Sequence, residues 1–310
     1  PTFGEDDYSH VLPSLTLNFE FADDHIVRTS LAKTISRARI DDLRASGSVT
    51  FDGANGRINS SDPDFSPWSA NGGNPKLKPM EANQFDLAYD WYFADDGFVS
   101  AAFYYKDLVN WHRQSSLLTD FSTAYIESVH QVQGQAPNTY LGYSDTKEDG
   151  LKGYVRGYEV QANLPFNVIS DALDGFGLVA SAAFVNGGLD NGGRIKGLSE
   201  ESYQLTMYYE VGGFEFRVSG RKRDEFMTEG RGKSLALEET EDLGSELWDA
   251  QIGFDFGKAG IDSLEGLTVS LQAQNLTDED TVRAEAADSR QITQYQSFGP
   301  NYLLGVNYKF

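Results

Sequence analysis

The sequence predicts an all-β chain, and three observations carry that prediction. Apolar and polar side chains alternate along much of its length, as they must on a strand, where successive side chains point to opposite faces. The alternating segments are long. The segments between them are short and long by turns.

Eleven strands are expected, at 10–22, 25–35, 79–94, 97–113, 152–166, 175–187, 200–211, 213–226, 245–257, 266–277 and 299–310. In the first, Leu15, Leu17, Phe19 and Phe21 oppose Ser14, Thr16, Asn18 and Glu20. In the third, Phe85, Leu87, Tyr89, Trp91 and Phe93 oppose Gln84, Asp86, Ala88, Asp90 and Tyr92. Further on, Tyr203, Leu205, Met207, Tyr209 and Val211 oppose Gln204, Thr206, Tyr208 and Glu210. Trp248, Ala250, Ile252, Phe254 and Phe256 oppose Asp249, Gln251, Gly253 and Asp255. Leu267, Val269, Leu271 and Ala273 oppose Thr268, Ser270, Gln272 and Gln274. Helical spacing fits none of these stretches. Most reach or exceed the ~9–11 tilted residues that cross a bilayer, whereas soluble strands average about five or six.

Strand ends meet at Asp23-Asp24, Asp95-Asp96, Phe166–Asp174, Gly212-Gly213 and Gly257–Glu265, all short. Between these lie 36–78, 114–151, 188–199, 227–244 and 278–298, mostly long. A sandwich has no reason to gather its long loops at one end, but an outer-membrane barrel has short periplasmic turns and long extracellular loops. The expected fold is therefore an antiparallel transmembrane β-barrel. An odd strand count does not close such a barrel, and an open edge in lipid leaves unpaired backbone groups at several kcal/mol each. Residues 1–310 are accordingly expected to be the C-terminal part of one barrel domain, with further strands ahead of Pro1.

The last strand sharpens this reading. Tyr302, Leu304, Val306, Tyr308 and Phe310 fall on one face, and Asn301, Leu303, Gly305, Asn307 and Lys309 on the other. That pattern resembles the C-terminal insertion signal of bacterial outer-membrane barrels, which implies the barrel assembly machinery as a partner.

Composition sets the outer limits. The chain has 310 residues, a formal net charge of −22, 13% aromatics and no Cys. No stretch approaches the ~20 apolar residues of a spanning helix, and a mean hydropathy of −0.44 suits a soluble chain and a barrel equally. Zero Cys removes disulfides and thiolate metal sites. The acidic balance argues against nucleic acid, whose phosphates call for a basic footprint. Pro1-Thr-Phe-Gly shows no signal peptide to read, so either one has been removed or the chain starts partway through a longer protein.

Several segments resemble the C-terminal barrel half of TonB-dependent outer-membrane transporters. Asn74-Pro75-Lys76-Leu77-Lys78-Pro79, followed by the strand ending Trp91-Tyr92-Phe93, looks like that family's NPxLKP loop. The Gly97–Tyr105 strand with Lys106-Asp107-Leu108 resembles its next hairpin arm. Gly153-Tyr154-Val155-Arg156-Gly157-Tyr158-Glu159 looks like its GxxxGxE strand start, and Asn275-Leu276-Thr277-Asp278-Glu279 like its NLTD strand end. Eleven strands is half of the roughly 22 of plugged outer-membrane transporters. The resemblance implies energy-coupled import of a bulky nutrient, with a plug domain and a segment for the TonB protein; neither these nor a first barrel half lies in the 310 residues.

Plain structural roles compete with every candidate site. Catalysis finds little support: His10, His25, His112 and His130 are scattered without metal-type pairing, no G-x-S-x-G elbow is present, and the Asp pairs sit in turns. Neither a cofactor nor a metal is expected. The Gly187–Gly193 stretch reads as a hairpin loop, with no helix after it to cradle a phosphate. The run Glu238-Glu239-Thr240-Glu241-Asp242 offers calcium-type oxygens, but without a Gly-bearing twelve-residue frame it reads better as a solvated loop.

Arg221 and Arg223 share a face with Glu215 and Arg217 that should point to the lumen, and Lys222, on the other face, is a candidate for lipopolysaccharide phosphates. For cargo, the outer loops offer Phe65, Trp68, Tyr125, Tyr140 and Tyr143, whose rings suit sugar faces; Trp68 and Tyr143 are the first choices, with loop packing as the competing role. Trp111 is expected in an interface belt. The motif set resembles the branch often associated with oligosaccharides, so carbohydrate is the first expected cargo and a siderophore or metal chelate the second. A passive porin-like barrel and a soluble β-sandwich carbohydrate-binding protein are the alternatives.

Overall fold

The computed structural model describes residues 7–231 and 237–309. Among them the strands are β1 (Ser14–Ala22), β2 (His25–Ser36), β3 (Gly47–Phe51), β4 (Trp68–Gly72), β5 (Met80–Tyr92), β6 (Phe98–Asp120), β7 (Leu141–Pro165), β8 (Phe176–Leu189) and β9 (Glu201–Val211). They continue with β10 (Phe214–Arg223), β11 (Phe226–Arg231), β12 (Leu237–Asp242), β13 (Ser245–Asp255), β14 (Leu267–Gln274), β15 (Thr281–Glu285), β16 (Asp288–Gln296) and β17 (Asn301–Tyr308). The larger sheet runs β1-β2-β5-β6-β7-β8-β9-β10-β13-β14-β17, with β3 and β4 attached off this path; β11-β12-β15-β16 form a second sheet. The eleven strands of the path are the eleven alternating segments of the sequence. β1 and β17 are its two edges.

Register converts alternation into rows. Phe176, Tyr209, Phe216, Ile252, Leu271 and Leu304 lie opposite one another across β8, β9, β10, β13, β14 and β17. One position along, Gly177, Tyr208, Arg217, Gln251, Gln272 and Leu303 form the neighbouring row on the opposite face. One face of the sheet is thus continuously apolar and the other mainly polar. Its large apolar side chains nevertheless stay exposed, among them all four of Leu15, Leu17, Phe19 and Phe21. In water such a surface would be a liability; in a bilayer it is the surface that meets acyl chains.

The tight turns follow from local chemistry. Gly212 and Gly213 both have positive φ, 57° and 85°, as a two-residue hairpin matched to strand twist requires. At Gly213 a Cβ would also fall 2.3 Å from the Asp255 carbonyl oxygen. Asp24, at φ 66°, takes the left-handed position of the β1–β2 turn, which Asp tolerates better than most residues. Close to these turns the apolar face carries rings: Phe21, His25, Tyr89 and Trp91 pack together, with the His25 and Trp91 planes 5° apart. Aromatic belts of this kind mark membrane–water interfaces.

By contact the chain forms two compact units. One comprises the residues up to Ser14, Ala32–Asn83 and Asp107–Gly153; the other comprises Leu15–Leu31, Gln84–Lys106 and Tyr154 onward. In the first, β6 and β7 run further than the expected 97–113 and 152–166. Polar pairs rather than apolar alternation hold these extensions together: Arg113 bridges Glu148 at 3.0 Å, and the Ser116 hydroxyl donates to Asp145. The β3–β4 hairpin pairs parallel to β7 at Ser69 and Tyr143. In the second unit, 227–244 and 278–298, expected to be loops, carry β11, β12, β15 and β16. The acidic run Glu238–Asp242, expected to be a solvated loop, lies wholly in strand β12. Three of its carboxylates are paired: Glu239 with Lys196 at 3.2 Å, Glu241 with Arg194, and Asp242 with Arg283 at 3.2 Å.

Two of the sequence motifs are hydrogen-bond knots. The Asn74 side chain donates to the Lys147 carbonyl at 3.0 Å and accepts from the Lys76 N–H. The Lys78 N–H donates to Asp149, and Asn110 donates to the Pro79 carbonyl. In the second unit Asn275, at φ 53°, accepts from the Glu279 N–H at 2.7 Å and donates back to the Glu279 carbonyl at 3.1 Å. Its own N–H donates to Asp249, and Thr277 donates to the Glu246 carbonyl. Side chains here take over the backbone pairing that ends with the strand.

Candidate functional site

The polar face of the second unit is the first candidate. On β10 it presents Glu215, Arg217, Ser219, Arg221 and Arg223, paired in register with Glu210, Tyr208, Thr206, Gln204 and Ser202 of β9. Arg217 bridges Glu210 at 3.1 Å, Lys258 bridges Glu215 at 3.4 Å, and the Thr206 and Ser219 hydroxyls are 2.9 Å apart. Between β6 and β10 a cavity of ≈ 410 Å³ is bordered by Ser100, Glu159, Gln161, Ser181, Ser202, Gln204 and Arg221. Hydroxyls and amides can each donate and accept, and the charged residues of the border are Glu159, Arg221 and Lys222. A second cavity, ≈ 470 Å³, includes Arg28, Asp86, Tyr104, Lys106 and Glu159.

Glycine makes room for the two tyrosines of this wall. A Cβ at Gly157 would lie 2.7 Å from the Tyr104 hydroxyl, and one at Gly177 would lie 2.2 Å from that of Tyr208. The Gly157 of the GxxxGxE segment is therefore a seat for an aromatic ring laid flat on the wall. Deeper toward the turns, Arg28 reaches the nearly buried Asp90 at 3.1 Å.

The aromatic residues expected to meet cargo lie in the first unit, and packing claims most of them. Trp68 is only 2% exposed. Its ring lies 4.8 Å from Phe51, 5.0 Å from His130 and 6.0 Å from Phe121, stacked on the last. It is the centre of a loop core that includes Ile58 and Pro67, and its indole N–H has no partner among the described residues. Tyr125 and Tyr140 pack edge to face at 5.3 Å and are half-buried. Tyr143, on the outer extension of β7, is bonded to Asp64, which holds its hydroxyl above the usual tyrosine range. Phe65 keeps an exposed ring, with the Arg57 guanidinium 4.9 Å from its centroid. The structure thus brings Trp68, Tyr125 and Tyr140 into one cluster, and of the five only Phe65 presents an open face.

The remaining sites are as follows. Lys222 lies on the apolar face, between Tyr203 and Glu246 in register, with its ammonium 3.8 Å from Asp224. Tyr302, Leu304, Val306 and Tyr308 project from edge strand β17 and are all well exposed; Phe310 lies outside the described residues. Among the described residues no three His, Asp or Glu side chains are grouped to hold a metal ion. The sequence reading named Arg221 but missed Gln161, Ser181, Ser202 and Gln204. Their signal was present as the polar half of each alternation, but only strand order places them beside one another.

Comparison with known proteins fits this architecture. The family model "TonB dependent receptor-like, beta-barrel" matches residues 2–276. A search of curated proteins gives no match. Among solved structures, the chain resembles the ferric enterobactin receptor PfeA of Pseudomonas aeruginosa, at TM-score 0.64 and 12% identity over 96% of this chain and 40% of that one. It resembles the siderophore receptor PirA of Acinetobacter baumannii at TM-score 0.64 and 13% identity, over 96% and 41%. For the ferric citrate transporter FecA the TM-score is 0.57 and the identity 14%, over 96% and 38%. The chain spans about two fifths of the length of these receptors, and at such identity the likeness is one of fold. Proteins of this family are transporters, not enzymes. Family match, apolar band and strand order together make this chain a member of the TonB-dependent receptor family, part of a β-barrel of the Gram-negative outer membrane.

Proposed function

We propose that the protein to which these strands belong takes up a bulky nutrient across the outer membrane, driven by TonB, and that its first cargo class is an oligosaccharide. The observation that carries the cargo reading is the wall cavity of Ser100, Glu159, Gln161, Ser181, Ser202, Gln204 and Arg221. A sugar presents many neutral hydroxyls, each donor and acceptor, and this wall answers with groups of the same kind. Tyr104 and Tyr208, seated on their glycines, add flat faces for pyranose rings. The exposed ring of Phe65 is a first contact on the outer side. Energy coupling enters through the TonB protein and segments outside the 310 residues.

A ferric siderophore is the second reading, favoured by the ligands of the similar barrels, which include receptors for enterobactin and ferric citrate. Growth of a receptor-deletion strain separates the two. Loss of growth on an oligosaccharide as sole carbon source, with normal growth under iron limitation, supports the first reading; the reverse result replaces it with the second. Two accessory interactions belong to the same proposal. The barrel assembly machinery reads Tyr302, Leu304, Val306, Tyr308 and Phe310, and Lys222 contacts lipopolysaccharide phosphate.

A further inference from the structure

The apolar face is not uniformly bulky. Around Leu205 it sinks to Ala162, Ala180 and Ala182 on the β7–β8 side and to Gly220 on the β10 side, a groove of ≈ 450 Å³ that the rings of Tyr203 and Trp248 also line. Register explains the hollow. Ala180 and Gly220 flank Leu205, and Ala182 and Lys222 flank Tyr203, so small residues occupy one side of two successive rows. The Trp248 ring lies over Gly220, where a Cβ would meet it at 2.8 Å, and its indole N–H donates to Glu246 at 3.0 Å, which fixes the wall.

The groove is continuous with the row of Phe176, Tyr209, Phe216, Ile252 and Leu271, the surface that faces the bilayer. Its occupant is therefore a lipid chain and not a soluble ligand. It lies on the half of β8, β9 and β10 leading to the long outer connections, hence in the outer leaflet. At its rim stands the Lys222 ammonium, half-exposed, with Asp224 at 3.8 Å and Glu246 across the strand pair, itself held by Trp248. A cation at that depth suits an anionic lipid headgroup.

We infer that this groove holds one acyl chain of lipopolysaccharide, with Lys222 against the lipid A phosphate. The inference rests on the proposed lipopolysaccharide contact of Lys222 and adds the site for the chain. The test uses the full-length receptor in mild detergent, with purified lipid A and phosphatidylethanolamine as probes and native mass spectrometry as the readout. Parent protein is expected to retain lipid A in preference to phosphatidylethanolamine. Ala180→Leu and Ala182→Leu, which fill the floor and displace about two methylenes of chain, are expected to weaken lipid A binding about tenfold. Heat-modifiable migration in electrophoresis verifies that each variant is folded. Equal retention by the alanine variants overturns the groove. If Lys222→Gln alone then loses lipid A, the headgroup contact stands without it; if no variant loses lipid A, both fail. Equal retention of phosphatidylethanolamine by the parent overturns the assignment to lipopolysaccharide.

Discussion

Asn275 shows how much one side chain can hold. Its amide accepts from the Glu279 N–H and donates to the Glu279 carbonyl, while its N–H is donated to Asp249. Asn275→Ala removes these two side-chain bonds and a longer one to the Gly299 carbonyl, and leaves a positive-φ residue without the local compensation that Asn supplies. The expected loss is about 1–3 kcal/mol, measured as earlier proteolytic nicking within 278–298 and a lowered Tm. Charge at a single residue makes a second prediction. Two side-chain bonds and a backbone bond from Arg290 lower the Asp288 carboxyl from 3.8 to about 2. Because its folded pKa is depressed, its contribution is fully present above about pH 4 and is lost as pH falls through about 2. Arg290→Gln, which keeps the backbone bond, should raise Asp288 part of the way back toward the ordinary carboxylate range in an NMR titration. An unchanged titration would mean that the β15–β16 turn itself holds the proton off.

At the scale of elements, the β3–β4 hairpin and its neighbours enclose a small hydrophobic core of their own. Trp68 anchors it. Trp68→Ala should remove about 3–5 kcal/mol of local stability, seen as rapid hydrogen exchange across 47–72. A role for Trp68 in binding cargo through its face would instead show as lost affinity with exchange unchanged. Glycine seating supplies a further test on the strands. Gly177→Val drives a side chain into the Tyr208 ring, and overpacking of this kind costs about 1–3 kcal/mol. Gly177→Val with Tyr208→Ala, which vacates the space, should recover most of the lost folding yield.

For the whole molecule the decisive fact is that the sheet keeps its large apolar side chains outside. A water-soluble domain of this size would turn one sheet face inward against another layer; here that face has only lipid to meet. The proposed assembly signal lies on β17, an edge strand of that sheet. Replacing Tyr302, Leu304, Val306 and Tyr308 by Ser, or deleting Phe310, is expected to lower the amount of receptor in the outer membrane several-fold, as the aromatic and branched anchors of β17 are lost. Fractionation of cells carrying the full-length variants measures it. Unchanged outer-membrane levels would remove the proposed signal.

Alternation along the chain determined the eleven strands of the main sheet, because lipid on one side and water on the other impose a period of two on every spanning strand. The short turns were legible for the same reason that Gly and Asp populate positive φ. Tertiary structure alone decided the rest. Strands β11, β12, β15 and β16 carry charges that satisfy one another only when distant loops meet, as Arg194 does with Glu241 and Arg283 with Asp242, so no local period announces them. Trp68 was equally readable as a ligand platform and as a core residue, and only contacts with Phe51, Phe121 and His130, far apart in sequence, make it the core. The polar wall follows the same logic: each strand contributes one or two unremarkable Ser, Gln or Arg residues, and hydrogen-bonded register is what brings them side by side.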